Sequence, residues 1–276
     1  MLLTRVITAA VLLLLFVGAA VLGTTWLAAS MALCLGLVAY EWCCMIQSAR
    51  RWAPVAGVVM AAGGLFAALT GAVPQGGVFL ALELAATAIW MGLLGVCFAA
   101  RHRGFAVTDR TSLVLAVVIL PATFLAMLWL LRAGGWPLFL SVFLIVWLAD
   151  VCAYFAGRFF GRHKMSTAIS PKKTWEGAAG AFVSVLAAVL IAWNVLPHNV
   201  VFSSLLIERA GPVAGTLLML LLTAVSIAGD LFESALKRHA GIKDSGRLLP
   251  GHGGFFDRLD AALAVFPCAV AALLVS

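Results

Sequence analysis

The sequence predicts an all-α polytopic membrane protein of about nine transmembrane helices, with a polar site gathered at one face. Three observations predict it. Hydrophobic residues make up 64% of the chain and charged residues 11%, where a soluble domain carries roughly 25% charged residues. That leaves too little polar surface to wrap a water-soluble globule. Apolar runs of roughly 20 residues recur along the chain, long enough to cross a bilayer as helices. Basic residues fall in every second connection between those runs, the alternation expected of a bundle with one positive face.

Taken in order, spans are expected at about 6–22, 26–47, 53–70, 78–100, 111–131, 137–157, 178–196, 212–236 and 259–276. The first follows Arg5, as in a signal peptide. Its apolar run is long for one, however, and the next begins almost at once, so a retained hairpin turning at Gly23-Thr24-Thr25 is expected. Arg50 and Arg51 follow the second span, and Arg101, Arg103 and Arg110 surround the connection after the fourth. Arg158, Arg162, Lys164, Lys172 and Lys173 follow the sixth; Lys237, Arg238, Lys243, Arg247 and Arg258 follow the eighth. With Arg5, these are all of the 18 Lys and Arg except Arg132 and Arg209. The amino terminus and both large polar loops are therefore expected in the cytosol, and the carboxyl terminus on the far side. The chain divides into amino-terminal helices over 1–135 (spans one to five) and a catalytic region over 136–276, with spans six to nine and cytosolic loops 158–177 and 237–258.

The net charge of +7 is accounted for by this orientation bias, so no nucleic-acid partner is expected. A positive cytosolic face would instead attract anionic lipid headgroups and nucleotide phosphates. Cys34, Cys43, Cys44, Cys97, Cys152 and Cys268 form no CxxC pair and mostly lie within spans, so neither a disulfide framework nor a zinc site is expected. Abundant Gly and Ala in the spans suit close helix packing in lipid.

Carboxylates stand where lipid should forbid them. Asp150 lies eight residues before Arg158, and Asp230 eight before Arg238. In a continuous helix each sits roughly 12 Å below its basic boundary. Asp230, Glu233, Ser234 and Lys237 are spaced i, i+3, i+4 and i+7 and share one face; Asp257 and Asp260 are i, i+3 at the start of the last span. Interhelical salt bridges would explain any one of them. For the whole set a divalent cation is the better compensation, since clustered Asp with phosphate-bearing substrates commonly holds Mg²⁺. After span six, Lys172 and Lys173 could neutralise a polyphosphate, with Ser170 or Thr174 donating to its oxygens; membrane-surface charge is the other reading of that loop. Gly251, Gly253 and Gly254 permit backbone approach to phosphate, and His252 either orients the turn or moves protons.

These residues carry a resemblance. Ser234-x-x-Lys237-Arg238, Lys243-Asp244-Ser245-Gly246, Pro250-Gly251-His252-Gly253-Gly254 and Asp257-Arg258-x-Asp260 closely resemble the signature of the phosphatidate cytidylyltransferase (CDP-diacylglycerol synthase) family. Two blocks add to it: Asp150-x-x-Ala153-Tyr154-x-x-Gly157-Arg158 with Gly161-Arg162-His163-Lys164, and Ser170-Pro171-Lys172-Lys173-Thr174-Trp175-Glu176-Gly177. The likeness is strong over about 145–260 and weak before it, where only Glu41-Trp42 is similar. It implies a Mg²⁺-dependent reaction in which CTP and phosphatidic acid give CDP-diacylglycerol and pyrophosphate. Carried over by position, it implies Asp230, Lys237, His252 and Asp257 at the reaction centre. Ser170, Lys172, Lys173, Ser234, Arg238, Lys243, Asp244 and Arg258 would bind substrate. Asp230 and Asp257 would bind metal, with Asp150 and Asp260 as further candidates. The implied setting is a bacterial inner membrane with the site facing the cytosol, in a chain compatible with homo-oligomers.

Two other classes share parts of the pattern. Another membrane CTP-dependent lipid phosphotransferase or kinase would use similar charges, although a CDP-alcohol phosphotransferase is expected to end in DxxxD rather than this DxxD. A cation-coupled transporter also buries carboxylates, but commonly shows two related halves and a midplane site. Here the charge is gathered late and near one face.

Overall fold

A computed structural model describes residues 2–71 and 73–276. Among these residues nine α-helices and one β-hairpin follow in the order α1 (Leu2–Leu22), α2 (Thr24–Met45), α3 (Ala53–Leu69), α4 (Gly77–Ala99), α5 (Asp109–Phe160), β1 (Lys164–Ser166), β2 (Ser170–Thr174), α6 (Trp175–Val195), α7 (Phe202–Ala210), α8 (Pro212–His239) and α9 (Phe256–Val275). The all-α membrane architecture expected from the sequence is present. Seven helices among the described residues are long and apolar enough to cross a membrane, and one of them, α5, takes in two of the nine expected spans. The apolar part of α1, Val6–Leu22, is shorter than the other spans. The expected fifth and sixth spans run together as the two arms of α5, bent at Gly135.

That bend needs glycine. Gly135 adopts φ 69°, ψ −167°, a region that L side chains avoid. Both ends of α5 lie at the charged end of the bundle: Asp109 Oδ2 accepts the Ser48 N–H at 2.9 Å, and Phe160 leads into the hairpin. The middle lies at the opposite end, where Arg132 donates to Ala68 O, near the end of α3, at 2.8 Å. Gly23, with φ 117°, similarly joins α1 to α2.

The basic connections meet at one end. Ser166 donates to Arg101 O at 2.9 Å, tying the hairpin to the loop after α4. Thr8 donates to Pro250 O at 3.0 Å, setting the start of α1 beside the α8–α9 loop. (The side chain of Arg5, counted in the charge pattern, lies outside the described residues.) Arg132 and Arg209 sit at the other end, and both donate to carbonyls in the last turn of a helix; Arg209 meets Leu273 O at 2.9 Å. Cations there satisfy free carbonyls and the helix dipole together.

Beneath the charged end lies an aromatic plug. Trp42 stacks on Phe256 with ring centroids 4.9 Å apart and tilts against Phe232 at 5.8 Å, while Trp90 meets Phe232 edge-on at 5.6 Å. The Trp42 indole donates to Ser112 Oγ at 2.9 Å, so its polar atom is satisfied where it is buried. Small residues let helices approach: a Cβ at Gly36 would lie 2.7 Å from Ala61 Cβ and 2.8 Å from Gly57 O on α3. Gly36→Val should therefore destabilise the α2–α3 contact by about 1–3 kcal/mol. Gly63→Val on α3, where a Cβ meets nothing within 4 Å, should be near neutral. Thermal unfolding of the two variants in detergent checks this difference.

Candidate active site

Helix spacing on α8 and the start of α9 bring the carboxylates together. Asp230, Glu233 and Lys237 project from one face of α8, as i, i+3 and i+7 positions must. Gly229 lets α9 come close: a Cβ there would lie 2.6 Å from Asp260 O. The result places oxygens of Asp230, Glu233 and Asp260 within 4.8 Å of one another. Lys237 Nζ bridges Glu233 Oε2 at 2.6 Å and Asp257 Oδ1 at 2.7 Å. Lys173, from β2, reaches Asp230 Oδ2 at 2.7 Å, and Ser234 donates to Asp230 Oδ1 at 3.4 Å.

A cavity of about 500 Å³ opens over this group. Its walls come from the second arm of α5, the hairpin, and helices α6, α8 and α9; Asp150, Asp230, Asp257 and Asp260 line it together with Arg158, Ser170, Lys172, Lys173 and Arg258. The hairpin is held over α5 by local chemistry. Thr174 caps α6 by accepting the Gly177 N–H at 3.2 Å, and a Cβ at Gly177 would lie 2.8 Å from Ala153 O. Only glycine lets α6 sit that close to α5.

Asp257 is the most elaborately held of the acids. Its Oδ2 accepts N–H groups of Ser245 at 3.0 Å and Gly254 at 2.8 Å, and lies 3.1 Å from Ser245 Oγ. A second carboxylate supports the same turn from another helix. Glu41, at the end of α2 and 1% exposed, accepts the Ser245 hydroxyl and the Phe256 N–H, both at 2.9 Å.

Lys237 and Ser234 thus stand in the carboxylate group, and eight other sequence candidates line the cavity. Arg238, Lys243 and Asp244 are exposed at the charged end and do not line it. His252 also stands off the cavity wall. Its carbonyl accepts from Arg258 at 2.9 Å and its N–H donates to Leu249 O, so in this structure it shapes the turn. Glu233 was not among the candidate site residues, although its i+3 spacing from Asp230 put it on the same face. Glu41 has the Glu41-Trp42 resemblance as its one local signal, and its partners lie more than 200 positions away.

Comparison with known proteins agrees with these motifs. The sequence model of the Cytidylyltransferase family matches residues 3–276. The chain belongs to that family. Among curated relatives, a phosphatidate cytidylyltransferase of Staphylococcus saprophyticus is 41% identical over 136 residues, which is 49% of this chain and 48% of that protein. One from Haemophilus influenzae is 40% identical over 134 residues, covering 48% and 44% of the two chains. One from Mycobacterium tuberculosis is 42% identical over 144 residues, covering 52% and 39%. The aligned part of the chain spans about half the length of the curated relatives it matches, or less.

As a cytidylyltransferase-family site, the group crowds three carboxylates together. The crowding is local: Asp230, Glu233 and Asp260 meet with Lys173 on Asp230 and Lys237 on Glu233 as their salt-bridge partners, while Arg158, Lys172 and Arg258 line the surrounding cavity wall. An all-oxygen donor set of this kind suits a hard divalent cation, and the buried Glu233 Oε1 has no hydrogen-bond partner among the described residues. Lys237→Met would leave Glu233 and Asp257 without their shared counter-charge at low exposure. It should cost about 3–5 kcal/mol, and adding Glu233→Gln should restore part of that loss. Thermal unfolding of both variants in the absence of divalent ions tests the coupling.

Proposed function

We propose that this chain is a phosphatidate cytidylyltransferase, moving CMP from CTP onto phosphatidic acid with release of pyrophosphate and formation of CDP-diacylglycerol. One observation carries the reading. A carboxylate cluster and a set of lysines and arginines share one cavity at the charged end of a membrane bundle, and the α5 wall of that cavity also bears exposed Phe155, Phe159 and Phe160. A site bounded by apolar exposed surface on one side and basic loops on the other suits a lipid phosphate meeting a soluble nucleotide. The names of the relatives support the same activity.

In the proposed reaction a phosphate oxygen of the lipid attacks the α-phosphorus of CTP. The bond from that phosphorus to the oxygen bridging to the β-phosphate breaks, and pyrophosphate leaves with the electron pair. A phosphate monoester has a second pKa of about 6, so the nucleophile is already anionic at neutral pH and needs little general-base help. The difficulty is bringing two polyanions together. Ser170, Lys172 and Lys173 on the hairpin are suited to the nucleotide phosphates. Arg158 is suited to the lipid phosphate: it lies at the end of α5 beside the exposed phenylalanines, and it donates to Tyr154 Oη at 2.8 Å. Arg258, in the first turn of α9, also lines the cavity. Mg²⁺ fits the donor set, with Asp230, Glu233 and Asp260 as its holders and Asp257 joined to them through Lys237. Bound there, it would neutralise charge on the phosphate oxygens. The positive-inside bias supports a cytosolic position for this end, in keeping with a bacterial inner-membrane enzyme whose amino terminus is cytosolic.

Purified protein given CTP, Mg²⁺ and phosphatidic acid in mixed micelles should release pyrophosphate and form CDP-diacylglycerol in equal amounts. Release of CDP without pyrophosphate would instead establish a lipid kinase, and no turnover of either kind would overturn the reading. Chelation of divalent ions and Asp257→Asn should each abolish turnover. Arg158→Ala should raise the lipid KM about 10-fold or more, the worth of one charge-assisted hydrogen bond, while leaving the CTP KM little changed. Equal effects on both substrates would return Arg158 to general surface charge.

A further inference from the structure

We infer that Glu41 is a positioning residue for the site, acting on Asp257 through the turn that joins α8 to α9. The inference rests on the proposed transfer reaction only for its kinetic readout. Glu41 lies in the amino-terminal half, outside the region assigned to catalysis from the sequence, and it is 1% exposed. A buried carboxylate in a membrane bundle is costly unless its oxygens are engaged. Among the described residues no lysine, arginine or histidine lies within salt-bridge distance of Glu41. Its partners are the Ser245 hydroxyl and the Phe256 N–H, both on Oε2.

The turn is shaped around this carboxylate. A Cβ at Gly254 would collide with Glu41 Oε1 and Oε2 and with Ser245 Oγ, and a Cβ at Gly246 would collide with Glu41 Oε1. At both glycines the nearest atoms to such a Cβ belong to Glu41 or Ser245, so the turn packs directly against this buried carboxylate. The clamp then reaches Asp257 in two ways. Phe256, whose N–H Glu41 holds, is the residue before Asp257. Ser245 has a single hydroxyl proton and two carboxylate oxygens within reach, Glu41 Oε2 at 2.9 Å and Asp257 Oδ2 at 3.1 Å. Donation to the nearer, Glu41, keeps that proton off Asp257 Oδ2, while a lone pair of Ser245 Oγ accepts the Asp257 N–H at 3.3 Å. Asp257 Oδ2 keeps the two backbone N–H groups, and Oδ1 keeps Lys237. Glu41 therefore sets the direction of the Ser245 hydroxyl, and with it how many donors crowd the Asp257 carboxylate that faces the cavity.

The test uses the full-length protein in detergent and compares Glu41→Ala, Glu41→Gln and Ser245→Ala. Glu41→Ala should lower kcat by about 10- to 100-fold, the scale of a lost hydrogen bond to a charged group, with the CTP and lipid KM values changed much less. Glutamine keeps one acceptor oxygen in the same volume and should restore most of the loss. Ser245→Ala should fall between. Independently of activity, amide hydrogen exchange over 245–257 should quicken in Glu41→Ala, remain near wild type in Glu41→Gln, and stay unchanged in the α4 amides of all three. Wild-type kcat in Glu41→Ala overturns the inference. So does an exchange increase spread evenly over the bundle, which would mark a general packing residue. If Glu41→Ala does not fold, Glu41→Gln and Ser245→Ala still decide it: wild-type exchange over 245–257 in Ser245→Ala overturns it. Should the wild-type protein itself turn nothing over, the proposed reaction fails, and the exchange measurement alone decides the clamp.

Discussion

Carboxylates set below the end of an apolar bundle must be compensated, and that constraint organises the rest of the structure. Lys237 lies between Glu233 and Asp257, Lys173 lies on Asp230, and backbone N–H groups of Ser245 and Gly254 converge on Asp257. Each compensation requires something of the fold. Lys237 must sit one helical turn beyond Glu233. The hairpin must fold back over α5 to deliver Lys173. The α8–α9 turn must be nearly free of side chains where it meets Glu41. Replacing the set with apolar residues would suit the bilayer as well or better, so its presence argues for chemistry and not for stability.

Much of this was legible because its cause is local. The i, i+3, i+7 spacing on α8 is a property of any helix, so the convergence of Asp230 with Lys237 could be read directly from their numbering. The alternation of basic connections likewise reports on chain geometry, and the structure gathers those connections at one end. The merging of two expected spans into α5 was less legible: Gly134-Gly135-Trp136-Pro137 marks a break, but only the conformation of Gly135 reveals that the helix bends there without a separate loop. Least legible were contacts made across the chain. Nothing near Glu41 in sequence announces Ser245 or Phe256, and nothing near Arg238 or Lys243 announces that they point to solvent while Lys237 points inward. A motif names positions; the helix face decides which of them reach the cavity.

The hairpin and α5 divide the labour at the cavity mouth. The hairpin has one polar surface and carries Ser170, Lys172 and Lys173. The last turns of α5 carry large apolar side chains outward, with Tyr154 and Arg158 among them. These two walls differ in the solvent they suit, and they face one another only because Gly157, Gly177 and Gly180 remove the side chains that would hold α5 and α6 apart. Close helix approach, often treated as a device for stability in lipid, here also brings an apolar wall and a basic wall around one pocket.

The ion pair at the centre follows from the way two helices end. Lys237 is in the last turn of α8 and Asp257 is in the first turn of α9. A cation is favoured at a helix carboxyl end and an anion at an amino end, so each residue is in the position its own helix prefers. Packing α8 antiparallel to α9 then sets these two ends side by side, and their charges meet at 2.7 Å. The connecting turn has only to hold that arrangement, which it does through Glu41, a residue from neither helix. An anchor on α2 holds the turn, through the Ser245 hydroxyl and the Phe256 N–H, against the body of the bundle, and with it the carboxylate at the start of α9.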